Sequence, residues 1–297
     1  MTVVDSASAG RADVVRAYVG LTKPRIIELL LVTTVPAMVV AARGLPDPWL
    51  VLATLVGGAL AAGSANTFNS YFEADIDELM ERTRRRPMPA LRVPPRNAVV
   101  FGALLGAGSF AWLGVTVNLL AATLATAAIF FYVVVYTLWL KRRSEQNIVI
   151  GGAAGCVPVL VGWAAVTGEV GLPAVVMFAI VFYWTPPHFW ALALRYRDDY
   201  ARAGVPMLPV VRGARDTAHQ ILLYSVMMVA VTLMFGLLGG MGLLYLVAAV
   251  ALGATFLVLA EQLRRDSSPE RAMRLFRFSI SYLGLLFIAM AVDAVLG

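Results

Sequence analysis

Apolar stretches long enough to cross a ~30 Å hydrocarbon core recur along this chain, separated by short polar segments. Hydrophobic residues make up 60% of the 297 residues and charged residues only 14%, which excludes an ordinary soluble protein. The sequence therefore predicts an all-α polytopic membrane protein. The turns after the third and seventh stretches are short enough to make the flanking helices antiparallel neighbours. Nine transmembrane helices are predicted, at roughly 25–43, 48–72, 97–116, 119–140, 148–166, 172–194, 217–237, 240–261 and 276–295.

The positive charges indicate how these helices are oriented. If the N-terminus lies in the cytoplasm, every Lys and Arg except Arg43 falls on or next to the cytoplasmic side. Membrane topology thus explains the net charge of +6, which does not indicate nucleic-acid binding. We predict a multi-pass protein of the bacterial cell membrane, with cytoplasmic loops at 73–96 and 195–216. Residues 1–20 lack the apolar core of a signal peptide and are predicted to form a disordered cytoplasmic tail.

The first long loop begins with a stripe of polar side chains. Asn69, Glu73 and Asp77 are spaced four residues apart, so on a helix they share one face. Acids at this spacing repel each other, and carboxylate oxygens are ligands that Mg²⁺ prefers. The stripe therefore predicts a cation site, whereas the alternative is a solvated charged loop. In that alternative, side chains four residues apart simply pair, Glu78 with Arg82 and Glu81 with Arg85.

A second group of candidate residues lies at the end of the sixth predicted helix. Pro186 and Pro187 remove two backbone donors, which predicts a kink or a break. His188 follows directly, and a histidine inside a membrane span is a candidate functional residue. If the helix continued, Asp199 would lie about three turns further along nearly the same face, next to Asp198. The alternative for His188 is a structural role, with its ring bonded to a carbonyl that the prolines free.

Basic residues on the same predicted side of the membrane suit an anionic ligand. Arginine forks onto phosphate oxygens, so these residues beside Mg²⁺-binding acids predict a diphosphate site. For each of these basic residues, the alternative is that it belongs only to the general excess of positive charge on the cytoplasmic side of the membrane. The chain has no Walker-type glycine-rich loop, so ATP is not indicated, and its single cysteine excludes an intramolecular disulfide. The basic candidates are Arg82, Arg85, Lys141 and Arg142, and the weaker candidates are Tyr136, Asn147 and Trp163.

Taken together, these segments resemble the UbiA-type intramembrane prenyltransferases. Asn69-Ser-Tyr-Phe-Glu-Ala-Asp-Ile-Asp77, followed by Met80-Glu-Arg-Thr-Arg-Arg-Arg-Pro87, is similar to the first aspartate-rich motif of that family. Four further segments narrow the resemblance to the branch that farnesylates protoheme IX, and the likeness runs from about Leu21 to the C-terminus. They are Leu21-Thr-Lys-Pro-Arg-Ile-Ile-Glu28, Tyr136-Thr-Leu-Trp-Leu-Lys-Arg142 with Asn147-Ile-Val-Ile-Gly-Gly152, Trp184-Thr-Pro-Pro-His-Phe-Trp190, and Asp198-Asp-Tyr-Ala-Arg-Ala-Gly-Val-Pro-Met-Leu-Pro209.

The chain departs from the family pattern at two places. The first motif of the family reads N-x-x-x-D-x-x-x-D, and here Glu73 replaces its first aspartate. Carboxylate oxygens remain, but they reach one methylene further. In the second motif many relatives have two acids four residues apart, whereas here Arg195 stands four residues before Asp199. Adjacent residues cannot both face one site on a helix. Asp199 is the expected metal ligand because it aligns with His188, and Asp198 is therefore not expected to bind the metal.

The resemblance implies a UbiA-type prenyltransferase membrane domain over residues 21–297. It implies transfer of the farnesyl group of farnesyl diphosphate to a vinyl group of protoheme IX (heme B), giving heme O and diphosphate. Mg²⁺ is the implied cofactor, heme B is a substrate, and a heme A synthase or a terminal oxidase assembly factor is a candidate partner. His188 is expected either to ligate the heme iron or to position the water that hydrates the product.

The resemblance also implies a role for each candidate residue. The implied catalytic residues are Asn69, Glu73, Asp77, His188 and Asp199, and of these Glu73, Asp77 and Asp199 would hold the metal. The implied substrate-binding residues are Arg82, Arg85, Lys141, Arg142, Asn147 and Asp198. Two alternative functions remain open on the sequence alone. One is a prenyltransferase that acts on an aromatic quinone precursor, which would not need the Pro-Pro-His segment. The other is a non-catalytic heme transporter or scaffold, which would release no diphosphate.

Overall fold

The computed structural model describes residues 11–90 and 93–297, and the side chains of residues 11 and 25–31 lie outside that description. The described residues form helices, turns and loops, with no strand among them. The α-helices are α1 (Arg11–Thr22), α2 (Pro24–Ala42), α3 (Pro48–Phe72), α4 (Ala74–Leu79), α5 (Pro95–Thr116), α6 (Leu119–Phe130), α7 (Asn147–Gly151), α8 (Val157–Thr167), α9 (Leu172–Arg195), α10 (Arg197–Arg202), α11 (Leu208–Val211), α12 (Gly213–Leu238), α13 (Leu243–Arg265) and α14 (Pro269–Leu296).

Two long helical runs contain turns that are not α-helical. In the run Leu119–Arg142, α6 continues into a π-helix over Phe131–Trp139 and then a 3₁₀ turn over Leu140–Arg142. In the run Asn147–Thr167, a 3₁₀ segment over Gly152–Cys156 separates α7 from α8. A π-helix of this length is uncommon, and such segments are frequent at functional sites.

Eight helical runs of the described chain are long and apolar enough to cross a membrane. They coincide with eight of the nine predicted spans, because length and hydropathy carry most of the signal for such helices. The remaining prediction, at 25–43, coincides with α2, whose described apolar part is Val32–Ala42. The predicted all-α, multi-pass membrane fold is therefore confirmed.

Prolines and short polar side chains determine where several helices begin. Proline occupies the first turn of α2, α3, α5, α9 and α14, where its missing N–H has no intrahelical partner to lose. At the start of α3, Asp47 Oδ1 accepts the Leu50 N–H at 2.9 Å. At the start of α6, Asn118 Oδ1 accepts the Ala121 N–H at 2.8 Å. Both are side-chain caps for otherwise unpaired backbone donors.

Of the kink or break predicted at Pro186 and Pro187, the break does not occur, because α9 runs through both prolines as one helix. Packing against α14 supports this part of α9. Trp184 Nε1 donates to the carbonyl oxygen of Ser279 at 2.8 Å, within a buried contact between the two helices.

Helices that follow one another in the chain also pack side by side. In the first half α3 packs on α5 and α5 on α6, and in the second half α9 packs on α12 and α12 on α13. The neighbours predicted from the two short turns, α5–α6 and α12–α13, are therefore found. Further packing of α2 on both α8 and α14 joins the two halves, and α14 also packs on α9 within the second half.

The disordered tail predicted for residues 1–20 is wrong for residues 11–20, which belong to α1. This helix is held by a small apolar cluster in which Ala17 and Leu21 pack with Met88, Val93 and Ala98. Ala17 and Leu21 are four residues apart and so share one face of the helix. Residues 1–10 lie outside the described residues.

Asp293 near the end of α14 is expected to stabilise the fold by capping α13. Its Oδ2 accepts the Gly242 N–H at 2.5 Å and its Oδ1 accepts the Tyr245 N–H at 3.1 Å, and the side chain is buried. We predict that Asp293→Ala lowers the free energy of unfolding by about 1–2 kcal/mol, because both donors lose their acceptor. Thermal unfolding of the detergent-purified protein measures this loss. Glu270→Ala, which removes an exposed acid from the first turn of α14, is the control, and equal melting temperatures for the two variants would contradict the prediction.

Candidate active site

A cavity of about 310 Å³ lies between α3, the helical run Leu119–Arg142, α8 and α9. One part of its wall is polar and the rest is apolar. The polar part consists of Lys23, Asn66, Asn69, Glu73, Asp77, Arg82, Arg86 and Lys141. Small and aromatic side chains dominate the apolar part, among them Gly58, Ala61, Ala62, Ala65, Ala125, Ala128, Tyr132, Tyr136, Trp184 and Phe189. Such a cavity suits a ligand with a charged head and a hydrocarbon tail.

The predicted polar stripe forms part of this wall. Asn69, Glu73 and Asp77 all line the cavity and all are buried. The α-helix α3 ends at Phe72, yet the Glu73 N–H still bonds to the Asn69 carbonyl at 3.0 Å and the Asp77 N–H to the Glu73 carbonyl at 2.7 Å. The i, i+4 register therefore continues across the junction into α4. This continuity is the reason that all three side chains share one face.

Each acid of the stripe is paired with a cation from another segment. Glu73 Oε2 lies 2.5 Å from Lys141 Nζ. Asp77 accepts from Arg86 Nη1 with both carboxylate oxygens, each at 2.9 Å. A buried carboxylate without such a partner would be strongly destabilising, so each pair compensates a buried charge. Arg82, which also lines the cavity, lies 5.6 Å from the ring centre of Tyr196.

Asn69 is held by two hydrogen bonds. Its Oδ1 accepts from Lys23 Nζ at 2.5 Å, and its Nδ2 donates to Thr137 Oγ1 at 3.0 Å. The Thr137 hydroxyl in turn donates to the carbonyl oxygen of Tyr132, five residues earlier, at 2.9 Å. That spacing is the spacing of the π-helix. The π-helical turn therefore fixes the orientation of the Asn69 amide, with its oxygen towards Lys23.

Two glycines let the neighbouring helices approach the cavity closely. A Cβ on Gly151 would lie 2.1 Å from Tyr136 Cδ2, and one on Gly152 would lie 2.6 Å from Thr185 Cγ2. Neither position has room for a larger residue unless its neighbour moves. These contacts hold Tyr136 against the cavity, where its ring centre lies 5.2 Å from that of Tyr132.

Glu73 and Asp77 fit a Mg²⁺ ion, whereas the predicted set of three acids is not assembled. In the described part of the chain, no group of three or more His, Cys, Asp or Glu side chains is arranged to hold a metal ion. Glu73 Oε1, however, is buried and has no hydrogen-bond partner. Mg²⁺ commonly takes one or two protein carboxylates and completes its shell with water and substrate phosphate oxygens. The two acids of the stripe can supply that set.

Asp199 and Asp198 do not line the cavity, because the helix assumed in their alignment with His188 ends early. The helix α9 ends at Arg195, and a new short helix, α10, carries both acids. In α10 it is Tyr200 that lines the cavity. Asp199 is buried and pairs with Arg202, while Asp198 is exposed. The metal role expected for Asp199 therefore has no support in the structure.

Three of the candidate substrate-binding residues are also away from the cavity wall. Arg85 is exposed. Arg142 instead holds α4 in place, since it donates to both carboxylate oxygens of Asp75 at 2.7 and 2.8 Å and keeps the pKa of that acid below its usual range. Asn147 is fully buried behind the wall, and its side-chain nitrogen and oxygen both lack a hydrogen-bond partner.

His188 lies just behind the wall rather than in it. Its ring stacks between Trp184 and Phe276, with ring centres 4.3 and 4.6 Å away, and its Nδ1 lies 2.7 Å from Ser279 Oγ. The neighbouring residue Phe189 does line the cavity. The sequence therefore placed His188 close to the site but did not predict which group it contacts.

Lys23 lines the cavity but was not among the residues predicted from the sequence. It shares no regular spacing with the other candidate residues. It reaches the cavity because it adopts a left-handed conformation, φ 52° and ψ 62°, at the junction of α1 and α2. This conformation is unfavourable for a residue with a Cβ and persists only where its surroundings enforce it. Burial, together with the nearby charge of Arg86, lowers the pKa of Lys23 to about 7. Arg86 and Thr137 were likewise missed as site residues.

Solved structures of low sequence identity share this fold. One described as "Structural and mechanistic insights into the biosynthesis of Digeranylgeranylglyceryl phosphate synthase in membranes" has a TM-score of 0.80 at 18% identity, covering 96% of this chain and 100% of that one. A UbiA homolog from Archaeoglobus fulgidus bound to DMAPP and Mg²⁺ has a TM-score of 0.69 at 17% identity, covering 94% and 99%. These likenesses show the fold alone.

Two relatives resemble the chain far more closely in sequence. The chain is 56% identical to Protoheme IX farnesyltransferase 2 of Saccharopolyspora erythraea, over 99% of this chain and 93% of that protein. It is 54% identical to the Protoheme IX farnesyltransferase of Clavibacter sepedonicus, over 99% and 97%. The model of the UbiA prenyltransferase family matches residues 30–288. The chain therefore belongs to the UbiA prenyltransferase family.

Proposed function

We propose that this protein transfers the farnesyl group of farnesyl diphosphate to a vinyl group of protoheme IX (heme B), giving heme O and diphosphate. The observation that carries the proposal is the cavity. Basic and acidic side chains line one end of it, and apolar and aromatic side chains line the rest. The relatives named protoheme IX farnesyltransferase, at 53–58% identity over nearly the whole chain, support the identity of both substrates.

The polar end of the cavity suits a diphosphate. Four cationic side chains line it, Lys23, Arg82, Arg86 and Lys141, against the two acids Glu73 and Asp77. A surplus of positive charge in a cavity of low dielectric constant binds a multiply charged anion strongly. Mg²⁺ held by Glu73 and Asp77 would neutralise part of the diphosphate charge. Lys141 and Arg86 would then be released from the acids to the phosphate oxygens.

The rest of the cavity suits the carbon chemistry. The bond between farnesyl C1 and the diphosphate oxygen breaks, and the positive charge left on the farnesyl group needs an environment without water. The rings of Tyr132 and Tyr136, next to the polar end, can stabilise that charge through their π faces. The vinyl carbon of the heme then forms the new C–C bond. Water adds to the resulting cation at the adjacent carbon and loses a proton, which leaves a hydroxyl group.

The location of the site suits cytoplasmic substrates. With the N-terminus in the cytoplasm, the polar end of the cavity faces the cytoplasmic side of a bacterial cell membrane, where nearly all the Lys and Arg residues also lie. Farnesyl diphosphate would enter with its tail in the bilayer and its head at this surface. A heme A synthase or a terminal oxidase assembly factor is the proposed partner, because the product must pass to a further membrane-bound reaction.

We predict that Asp77→Asn lowers the rate of heme O formation by roughly 10²-fold or more, because the amide cannot replace an anionic Mg²⁺ ligand. Heme extracts of membranes supplied with farnesyl diphosphate, heme B and graded Mg²⁺ measure the rate. Asp198→Asn, at an exposed acid outside the cavity, is the matched control and should behave as the unchanged protein. An Asp77→Asn variant with the original rate and Mg²⁺ dependence would rule out this metal site.

The pKa of Lys23, about 7, predicts how diphosphate binding depends on pH. Lys23 is charged in the free protein below that pH and becomes neutral above it, so kcat/KM for farnesyl diphosphate should fall as the pH rises through about 7. Lys23→Arg keeps its charge at every accessible pH and should remove this fall. Lys23→Met should lower kcat/KM roughly 10- to 100-fold at pH 6, the value of a charge-assisted hydrogen bond. The same pH profile in Lys23→Arg and the unchanged protein would refute the assignment.

A further inference from the structure

Lys141 belongs to a connecting turn, residues 140–146, which joins the helical runs Leu119–Arg142 and Asn147–Thr167. The backbone hydrogen bonds that this turn makes outside the regular helices reach no further than four residues along the chain. Such local bonds shape the turn but do not attach it to the rest of the molecule. The position of Lys141 therefore depends on what the side chains of the turn contact.

Two ion pairs attach the connecting turn to the two halves of the molecule. Towards the first half, Arg142 donates to both carboxylate oxygens of Asp75, at 2.7 and 2.8 Å. Towards the second half, Glu145 accepts from Arg212, whose Nη2 lies 2.5 Å from Oε1 and whose Nε lies 3.0 Å from Oε2. A forked pair of this kind fixes direction as well as distance.

Arg212 stands on a firm base. It lies between α11 and α12, where its backbone N–H bonds to the Leu208 carbonyl at 2.8 Å. Leu208 and Pro209 are buried, so this corner of the chain is anchored in the core. The guanidinium of Arg212 also keeps the pKa of Glu145 below its usual range, so the acid is charged at neutral pH and the pair is intact there.

Loop 195–216, which contains Arg212, reaches the cavity wall through Tyr200 and Met207, and neither of these side chains is charged. Arg212 lies outside the wall, but the acid that it holds is four residues from Lys141 in the same turn. In the proposed reaction the Lys141 ammonium group moves from its acid partner to a phosphate oxygen. Its flexible four-carbon stem allows this movement, provided that the backbone of the turn is held in place.

We propose that Arg212 and Glu145 are positioning residues for Lys141. By holding the connecting turn to the corner between α11 and α12, they keep the ammonium group within reach of both Glu73 and the diphosphate of the substrate. The proposal rests on the proposed function, since it assumes that Lys141 binds the diphosphate. Loop 195–216 thus contributes to the diphosphate site through an arginine that acts at a distance, and not through the acid that the sequence predicted.

Calorimetric titration of the full-length, detergent-purified protein with farnesyl diphosphate and with inorganic diphosphate, each with Mg²⁺, tests this role. Lys141→Met should raise the Kd for both ligands roughly 10- to 100-fold, because a charge-assisted hydrogen bond is lost. Arg212→Met should raise it roughly 3- to 10-fold, because Lys141 keeps its charge and loses only its restraint. This exceeds the effect of most exposed pairs, since the pair is forked and the Glu145 side chain is only 20% exposed.

Glu145→Gln separates positioning from the long-range effect of charge. It breaks the same pair, so it should also raise the Kd, whereas the field of the removed charges alone would shift the Kd of Glu145→Gln and Arg212→Met in opposite directions. Glu261→Gln is the matched control, because it breaks a similarly exposed forked pair, with Arg264 on α13, and it should leave the Kd unchanged. The charge swap of Glu145→Arg with Arg212→Glu should recover most of the lost affinity.

A double-mutant cycle separates positioning from a general effect on the fold. With Lys141→Met already present, Arg212→Met should cause no further rise in Kd, because no ammonium group is left to position. With Lys23→Met present instead, the full rise should remain. Thermal unfolding of each variant is measured alongside, and Glu145→Gln, whose amide oxygen still accepts from Arg212, serves in the same cycle if Arg212→Met does not fold.

The two proposals can fail separately. A rise in Kd that is equally large with and without Lys141, or opposite shifts in Arg212→Met and Glu145→Gln, would overturn the positioning role. Binding that depends on Lys141 but not on Arg212 would overturn that role alone and leave the diphosphate site standing. An unchanged protein that binds neither farnesyl diphosphate nor inorganic diphosphate would overturn both proposals.

Discussion

Charge compensation inside the membrane domain is the constraint on which the site depends. Glu73 and Asp77 are buried, and a buried carboxylate without a counter-charge is costly by several kcal/mol. Their partners come from elsewhere in the chain, Lys141 from the end of one helical run and Arg86 from the loop after α4. The polar end of the cavity is therefore a junction of separate segments held together by charge, and not the surface of a single helix.

The same compensation would persist in the proposed reaction. A metal ion would take the place of the cation beside each acid, and the diphosphate would take the place of the acid beside each cation. The number of opposed charges is kept throughout, which avoids leaving any buried charge alone. Asn69 stays fixed during such an exchange, because its amide is bonded on one side to Lys23 and on the other to Thr137.

Local patterns in the sequence predicted much of this structure, and they failed where tertiary contacts decide. Hydropathy located the spans, and i, i+4 spacing placed Asn69, Glu73 and Asp77 on one wall. The alignment of His188 with Asp199 assumed a helix that in fact ends at Arg195. Lys23 depends on a left-handed backbone conformation, for which its sequence carries no glycine or asparagine signal. Arg142 was predicted to bind substrate but pairs with Asp75 instead, whereas Arg86 was not predicted and lines the cavity. The sequence could not distinguish them, because the partners of long flexible side chains are determined only in the folded state.

The π-helix over Phe131–Trp139 affects the direction of the side chains that follow it. In a π-helix each backbone N–H bonds to the carbonyl five residues back and not four, so a π turn contains about one residue more than an α turn. A side chain beyond this segment therefore points in a different direction from the one that a continuous α-helix of the same length would give it. In a continuous α-helix Lys141 would not have the orientation in which it meets Glu73, although the hydropathy of the span would be the same. The winding of the backbone, which hydropathy does not encode, thus decides which side chains meet at the polar end of the cavity.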